Sequence, residues 1–203
     1  MRTSVNTVVL SELIDPLHET GPVEHLGPDV RVTGLCTDSR KAAPGDLFFA
    51  ADGHRQDGLR YAESAVERGA VAVLASRRAT LPPGAALVRV DDVIAAKARL
   101  ADRFFGRPSQ RLDVVGITGT NGKTTTSFML RSMLTMDGRD AGLVGTLGAY
   151  LGQRHEPLAN TTPDAVDLQR LLARMVDENY AAAIMEVSSH ALVQRRVAEV
   201  AFD

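Results

Sequence analysis

The sequence predicts an α/β fold in two parts. A small mixed α/β N-terminal domain, residues 1–108, is followed over residues 109–203 by the front half of a parallel-sheet domain of the P-loop type. Three observations predict it. Short β-branched runs alternate with stretches of helical periodicity along the chain. The polar segment Phe105-Gly-Arg-Pro-Ser-Gln-Arg111 separates a helical pattern from a strong strand and marks the junction. The strand after that junction runs directly into a glycine-rich loop and then a helix.

In the first part, Val30–Thr37 and Asp46–Ala51 read as strands around the turn-forming Ala43-Pro-Gly-Asp46. Tyr61–Arg68 has Ala62, Ala65 and Val66 on one helical face, with Gly69 as its stop. Val71–Ala75 and Leu87–Val90 are short apolar strands. Asp91 or Asp92 caps a helix that runs to Phe105. In the second part, Leu112–Thr118 is a near-continuous apolar run, expected to be a strand buried on both faces. A helix from Thr124 to Met136 follows, with Phe128, Met129, Met133 and Leu134 on one side and Gly138 at its end. Ala141–Thr146 is the next strand. Pro163 and Asp164 open a helix with Leu168, Leu171, Leu172 and Met175 at helical spacing. Ala181–Val187 and Val197–Phe202 are the remaining strands. Alternating strands and helices argue for a parallel sheet with helices on both faces.

Composition narrows the function classes. Of 203 residues, 44% are hydrophobic and 24% charged, as in an ordinary globular protein rather than a disordered chain. A formal net charge of -2 gives no basic field for nucleic acid or anionic membrane. No segment is long and apolar enough to span a bilayer, and the N-terminus lacks a signal-peptide pattern, so a cytoplasmic location is the expectation. A lone cysteine, Cys36, excludes an internal disulfide framework and reads as a small buried apolar residue. The chain stops at Asp203 in an apolar segment with no polar tail, so a fragment of a longer protein is expected.

Chemistry concentrates in Val114-Val-Gly-Ile-Thr-Gly-Thr-Asn-Gly-Lys-Thr-Thr125. A helix N-terminus carries unpaired N–H groups and about half a positive charge, which favours phosphate. Gly119 and Gly122 let the loop curl so that several N–H groups point inward, and Thr120, Asn121 and Thr125 complete the expected nucleotide-binding stretch. Lys123 offers a cation to the β- and γ-phosphates of ATP, and Thr124 a hydroxyl to Mg²⁺. The general P-loop pattern asks for a glycine where this chain has Ile117, so the match is to the shorter Gly-x-x-Gly-Lys-Thr form. The competing reading is a tight strand-to-helix turn with a surface lysine.

Three segments together resemble the Mur ligases of bacterial cell-wall synthesis: Thr118-Gly-Thr-Asn-Gly-Lys-Thr-Thr-Thr126, Asn160-Thr-Thr-Pro163 and Met185-Glu-Val-Ser-Ser-His-Ala-Leu-Val-Gln-Arg-Arg-Val197. The first also suits folylpolyglutamate and cyanophycin synthetases. The third is more selective and resembles the family member that adds the third peptide residue. Thr37-Asp-Ser-Arg40 and Ala43-Pro-Gly-Asp-Leu-Phe48 are similar to its first domain. The resemblance implies an ATP-dependent acid–amino-acid ligase that works through an acyl phosphate. Its partners would be UDP-MurNAc-L-Ala-D-Glu and a diamino acid, diaminopimelate or lysine, with a monomer expected. It further implies that the 203-residue chain, lacking later segments, does not turn over by itself.

The same resemblance assigns roles. Lys123 and Glu186 are the catalytic pair, with Thr124 and Glu186 as metal ligands. Asn160, Thr161, Thr162, Ser188, Gln194 and Arg196 line the UDP-muramoyl-peptide side, where Arg196 suits a carboxylate or phosphate bidentately. Thr37 and Ser39 match UDP contacts, and His54, Arg55 and Gln56 a loop that touches the uridine diphosphate. His190 serves either catalysis or the orientation of its neighbours. Taken without the family, Asn160-Thr-Thr-Pro163 is the lead-in to a helix, Asp38-Ser-Arg40 a turn with a salt bridge, and Glu186 a strand-end charge. Two other functions compete: a P-loop kinase or ATPase of different substrate, and a nucleotide-binding module without chemistry of its own.

Overall fold

The computed structural model describes residues 6–51 and 57–203. Contacts divide the chain into two compact units, Met1–Phe104 and Phe105–Asp203.

The first unit contains β1 (Val8–Val9), α1 (Leu10–Ile14), β2 (Val23–Leu26), β3 (Arg31–Val32), β4 (Gly34–Cys36), β5 (Asp46–Ala50), α2 (Ala62–Glu67), β6 (Ala72–Ala75), β7 (Ala86–Val90) and α3 (Val93–Phe104). A five-stranded sheet has the order β2-β7-β6-β5-β4, parallel except for the antiparallel edge strand β2. The run expected as one strand over Val30–Thr37 is split. Arg31–Val32 pairs with β1, while Gly34–Cys36 pairs with β5, so the chain changes partner at Thr33. Alternation along the strands points Cys36, Phe48, Ala50, Val73 and Ala75 at Ala62 and Ala65 of α2. The predicted helix stops hold: Gly69 has φ 110° and donates to the Val66 carbonyl. Of the two candidate caps for α3, Asp92 is the one used, accepting from the Ala95 amide at 2.9 Å.

The second unit contains β8 (Asp113–Ile117), α4 (Lys123–Met136), β9 (Ala141–Gly145), β10 (Gly148–Leu151), β11 (Arg154–Glu156), α5 (Ala165–Asp177), β12 (Ala182–Glu186) and α6 (Ser189–Val193). Its sheet order is β11-β10-β9-β12-β8. Strands β8, β12 and β9 are parallel, as the alternating pattern requires, and β9-β10-β11 continue as an antiparallel meander. Helices cover both faces. Ala183 and Met185 of β12 pack with Leu168, Leu171, Leu172 and Met175 of α5. Ala182 and Ile184, pointing the other way, pack with Leu130 and Leu134 of α4.

Three expectations for this unit are corrected, and one hairpin goes unanticipated. Strand β8 is not buried on both faces: it ends the sheet order, with Asp113 and Gly116 exposed. Its apolar run reflects burial of Val114 on one face and partial cover of Val115 and Ile117. On α4 the expected face holds in part: Leu134 packs toward the sheet with Ser127 and Leu130, whereas Met129 and Met133 are 62% and 65% exposed, because the helix is rotated toward the Leu130 side. Val197–Phe202 forms turns and extended chain rather than a strand. Even so, the Phe202 ring lies beside Gly116, and Asp203 exchanges hydrogen bonds with the backbone of Val114. Finally, the β10–β11 hairpin, turning at Gly152-Gln153 with φ 59° at the glycine, lacked a clear alternation to announce it.

Candidate functional site

The glycine-rich loop occupies the step from β8 to α4. Gly122 is the N-cap of α4 at φ 81° and Gly119 sits at φ 140°, conformations that side chains with a Cβ rarely adopt. The loop therefore curls tightly enough to leave Gly119, Thr120, Asn121 and Gly122 exposed before a 14-residue helix, with Thr125 exposed in its first turn. That helix contributes its dipole where the loop ends. The Lys123 ammonium donates to the Gly119 carbonyl at 2.7 Å, so the cation lies folded across the loop.

Glu186 ends β12 and is 1% exposed. Parallel pairing brings it beside Ile117, the last residue of β8, which sets its side chain at the start of the loop. The Thr124 hydroxyl donates to both carboxylate oxygens at 3.0 Å. From the other side the Thr146 amide donates to Oε1 at 3.0 Å and the Thr146 hydroxyl to Oε2 at 3.1 Å. Gly145 leaves the room for this: a Cβ there would stand 2.2 Å from Oε1. A buried carboxylate is tolerable only with such donors around it.

The expected substrate-side residues gather on the flank. Thr162 is fully buried, donates to the Glu186 carbonyl at 2.8 Å and accepts from the Ser188 amide at 3.1 Å. The Thr161 hydroxyl lies 3.1 Å from that of Thr146, and Asn160 is exposed one step earlier. Ser188 caps α6 by accepting from the Ala191 amide. Arg196 spans from the Thr162 carbonyl, at 2.7 Å, to Gln194, whose Oε1 accepts from Nε and Nη2 at 2.9 and 2.6 Å. The edge expected to grip an anion bidentately is thus engaged by Gln194. His190 stands exposed on α6. The helix-entry alternative for Asn160-Thr-Thr-Pro163 describes part of the geometry too, since Asp164 caps α5 at the Val166 amide.

Within the first unit, Thr37, Ser39, Arg40, Phe48, Gly58 and Tyr61 line a cavity of about 560 Å³. Asp38 caps the turn Ser39–Lys41 and pairs with Arg40 at 2.8 Å; the Arg40 guanidinium holds its carboxyl down at about 2. The turn-and-salt-bridge reading of this segment is therefore true of its local structure. His54, Arg55 and Gln56 lie outside the described residues. Sequence reasoning passed over Thr146 and Tyr61, neither of which sits in a recognisable motif. The described residues contain no cluster of three or more His, Cys, Asp or Glu able to hold a metal. The Thr124 hydroxyl beside the Glu186 carboxylate fits Mg²⁺ nonetheless, because that ion keeps most of its shell as water and phosphate oxygens around one or two protein ligands.

Comparison with known proteins decides the family. Residues 31–104 match the Mur ligase family catalytic domain, and residues 117–203 match the Mur ligase middle domain. The chain belongs to the Mur ligase family. Among curated Mur ligases, it is 45% identical over 176 residues to the UDP-N-acetylmuramoyl-L-alanyl-D-glutamate–2,6-diaminopimelate ligase of Caldanaerobacter subterraneus subsp. tengcongensis, covering 87% of this chain and 36% of that protein. The ligase of the same name from Geobacillus thermodenitrificans is 47% identical over 173 residues, covering 85% and 35%. A solved 2,6-diaminopimelate ligase superposes with a TM-score of 0.75 at 26% identity, over 94% of this chain and 38% of that one. The MurF ligase of Thermotoga maritima, solved with ADP, shares the fold at a TM-score of 0.54 and 24% identity, over 76% and 32%. The chain thus spans about a third of the length of the Mur ligases it matches.

Proposed function

We propose that this chain supplies the nucleotide-handling part of an ATP-dependent amide ligase of peptidoglycan precursor synthesis. That ligase adds the third amino acid, diaminopimelate or lysine, to UDP-MurNAc-L-Ala-D-Glu. Residues 1–108 hold the UDP-sugar and residues 109–203 hold ATP. The observation that carries this is the contact between Thr124, the first hydroxyl of the loop helix, and the buried carboxylate of Glu186.

In this proposal a side-chain carboxylate oxygen of the dipeptide attacks the γ-phosphorus and ADP departs. The amino group of the incoming residue then attacks the acyl carbon, and phosphate leaves as the amide forms. Two anions must approach each other, so the chain's task is to offset charge. The loop amides and the α4 dipole face the phosphates, and Lys123 moves from the Gly119 carbonyl to the β- and γ-oxygens. Thr124 and Glu186 are the residues that would hold Mg²⁺, which when bound supplies positive charge to those same oxygens. Thr161 and Ser188 orient the muramoyl peptide, with Asn160, Gln194 and Arg196 beside them, while Thr162, expected on the substrate side but fully buried, holds their segments together. In the first unit, Phe48 and Tyr61 offer aromatic faces to a base, and Ser39 and Thr37 offer hydroxyls. The proposed reaction takes place in the cytoplasm. No helix among the described residues is long and apolar enough to cross a membrane.

Calorimetric titration tests the assignment on the 203-residue chain. ADP with Mg²⁺ and UDP-MurNAc-L-Ala-D-Glu should each bind. Ser188→Ala should weaken the muramoyl peptide and spare ADP, and the opposite pattern would overturn the division of the site.

A further inference from the structure

Thr146 belongs to none of the motifs above, yet it occupies the centre of the site. It follows β9 directly, so the parallel register of β9 with β12 carries it to the carboxylate forty residues away. It makes three contacts there. Its amide reaches Glu186 Oε1, its hydroxyl reaches Glu186 Oε2, and the same hydroxyl lies 3.1 Å from Thr161 Oγ1. The direction of the protons follows. A carboxylate accepts, so the Thr146 O–H points at Glu186, and its oxygen is left to accept from the Thr161 O–H. Thr162, next in the chain, holds the Glu186 carbonyl and the Ser188 amide. The segment carrying Thr161 and Thr162 is therefore fastened to Glu186 at two points, and of these two ties the one through Thr146 reaches the carboxylate end.

We infer that Thr146 is a positioning residue. It holds the Glu186 carboxylate against Thr124 and ties the Thr161–Thr162 segment to that carboxylate, so that cation-assisted nucleotide binding and the anchoring of the acidic, hydroxyl-rich substrate depend on one another. The inference rests on the nucleotide-site reading proposed above. Its physical basis is reciprocity: a group that favours one geometry of Glu186 strengthens both ligands that require it. Charge-assisted hydrogen bonds to a buried carboxylate are the stronger kind, so loss of one of the three side-chain and backbone donors is felt at the carboxylate.

Two measurements on wild type, Thr146→Val and Thr146→Ser separate this inference from the nucleotide-site reading. The first is ADP affinity by calorimetry with and without Mg²⁺. Thr146→Val should leave ADP binding in EDTA unchanged and reduce the Mg²⁺ enhancement by about tenfold, and Thr146→Ser should restore it. The second, on the ligand-free chain, is amide hydrogen exchange at residues 161–162 and 188, which should quicken in the valine variant and recover in the serine one. Equal exchange in all three proteins overturns the tie. An unreduced Mg²⁺ enhancement in the valine variant overturns the positioning of Glu186. Absence of ADP binding in wild type overturns the nucleotide site, and exchange then decides the tie alone.

Discussion

Replacement of Thr162 by valine tests whether the Glu186 strand end is held as the structure describes. Valine matches threonine in shape, so the change removes the hydroxyl and little else. That hydroxyl serves two backbone groups, the Glu186 carbonyl and the Ser188 amide, at a position with no exposure to solvent. Each orphaned buried group costs about 1–3 kcal/mol, and Ser188 is the less buried of the two, so about 2–4 kcal/mol is expected. Thr162→Ser keeps both bonds and loses one methyl, about 0.8 kcal/mol. With an m-value of about 1.5 kcal/mol/M, the valine variant should lose about 2 M in its urea midpoint. The assay is hydrogen exchange across Ala182–Glu186 under rising urea, which reads the second unit by itself. A valine midpoint no lower than that of serine would refute the claim that this hydroxyl stitches the two segments together.

Three further outcomes are expected. In a ligase containing this chain, Lys123→Ala should lower kcat by about 10²–10³, the loss typical of a preorganised charge-stabilising donor, and an unchanged kcat removes Lys123 from the mechanism. Gly145→Ala places a methyl against Glu186 Oε1, with no backbone penalty because Gly145 is not among the positive-φ glycines. It should abolish Mg²⁺-dependent ADP binding while ADP binding in EDTA persists, as calorimetry would show; intact Mg²⁺ dependence would mean that the carboxylate's position does not matter. In the first unit, Arg78 and Arg89 lower the Glu24 carboxyl from 4.5 to about 2. A lowered folded-state value means that stability is fully present above pH 4.5 and lost as pH falls through 2. The difference in urea midpoint between wild type and Glu24→Gln should therefore shrink across that window, modestly since Arg78 is exposed and its charge screened, and a difference independent of pH would show the pairing to be inert.

Much of this was legible in the residues. Helix α5 follows from Leu168, Leu171, Leu172 and Met175, all buried, and from Asp164 as its cap. The loop follows from two glycines and a lysine between a β-branched run and a helix, because glycine dihedrals and helix ends are local physics. Side-chain periodicity was less informative where two apolar stripes compete. Helix α4 carries Met129 and Met133 on one stripe and Leu130 and Leu134 on another, and only the sheet's position selects the second. Strand β8 misled for a similar reason: its apolar run says that it is a strand, whereas its exposure depends on how many neighbours flank it.

The candidate site divides along the same line. By itself the sequence determined that an anion-seeking loop exists, that Lys123 and Thr124 stand at its end, and that Glu186 closes an apolar strand, because each is a matter of neighbours along the chain. Only the tertiary structure decided that the Thr124 hydroxyl meets the Glu186 carboxylate across 62 residues and that Thr146 meets it across 40. The physical reason is the parallel register of β8, β12 and β9. It brings the C-terminal strand ends together at one end of the sheet, and the pairing that sets it is between backbones, which no side-chain motif announces.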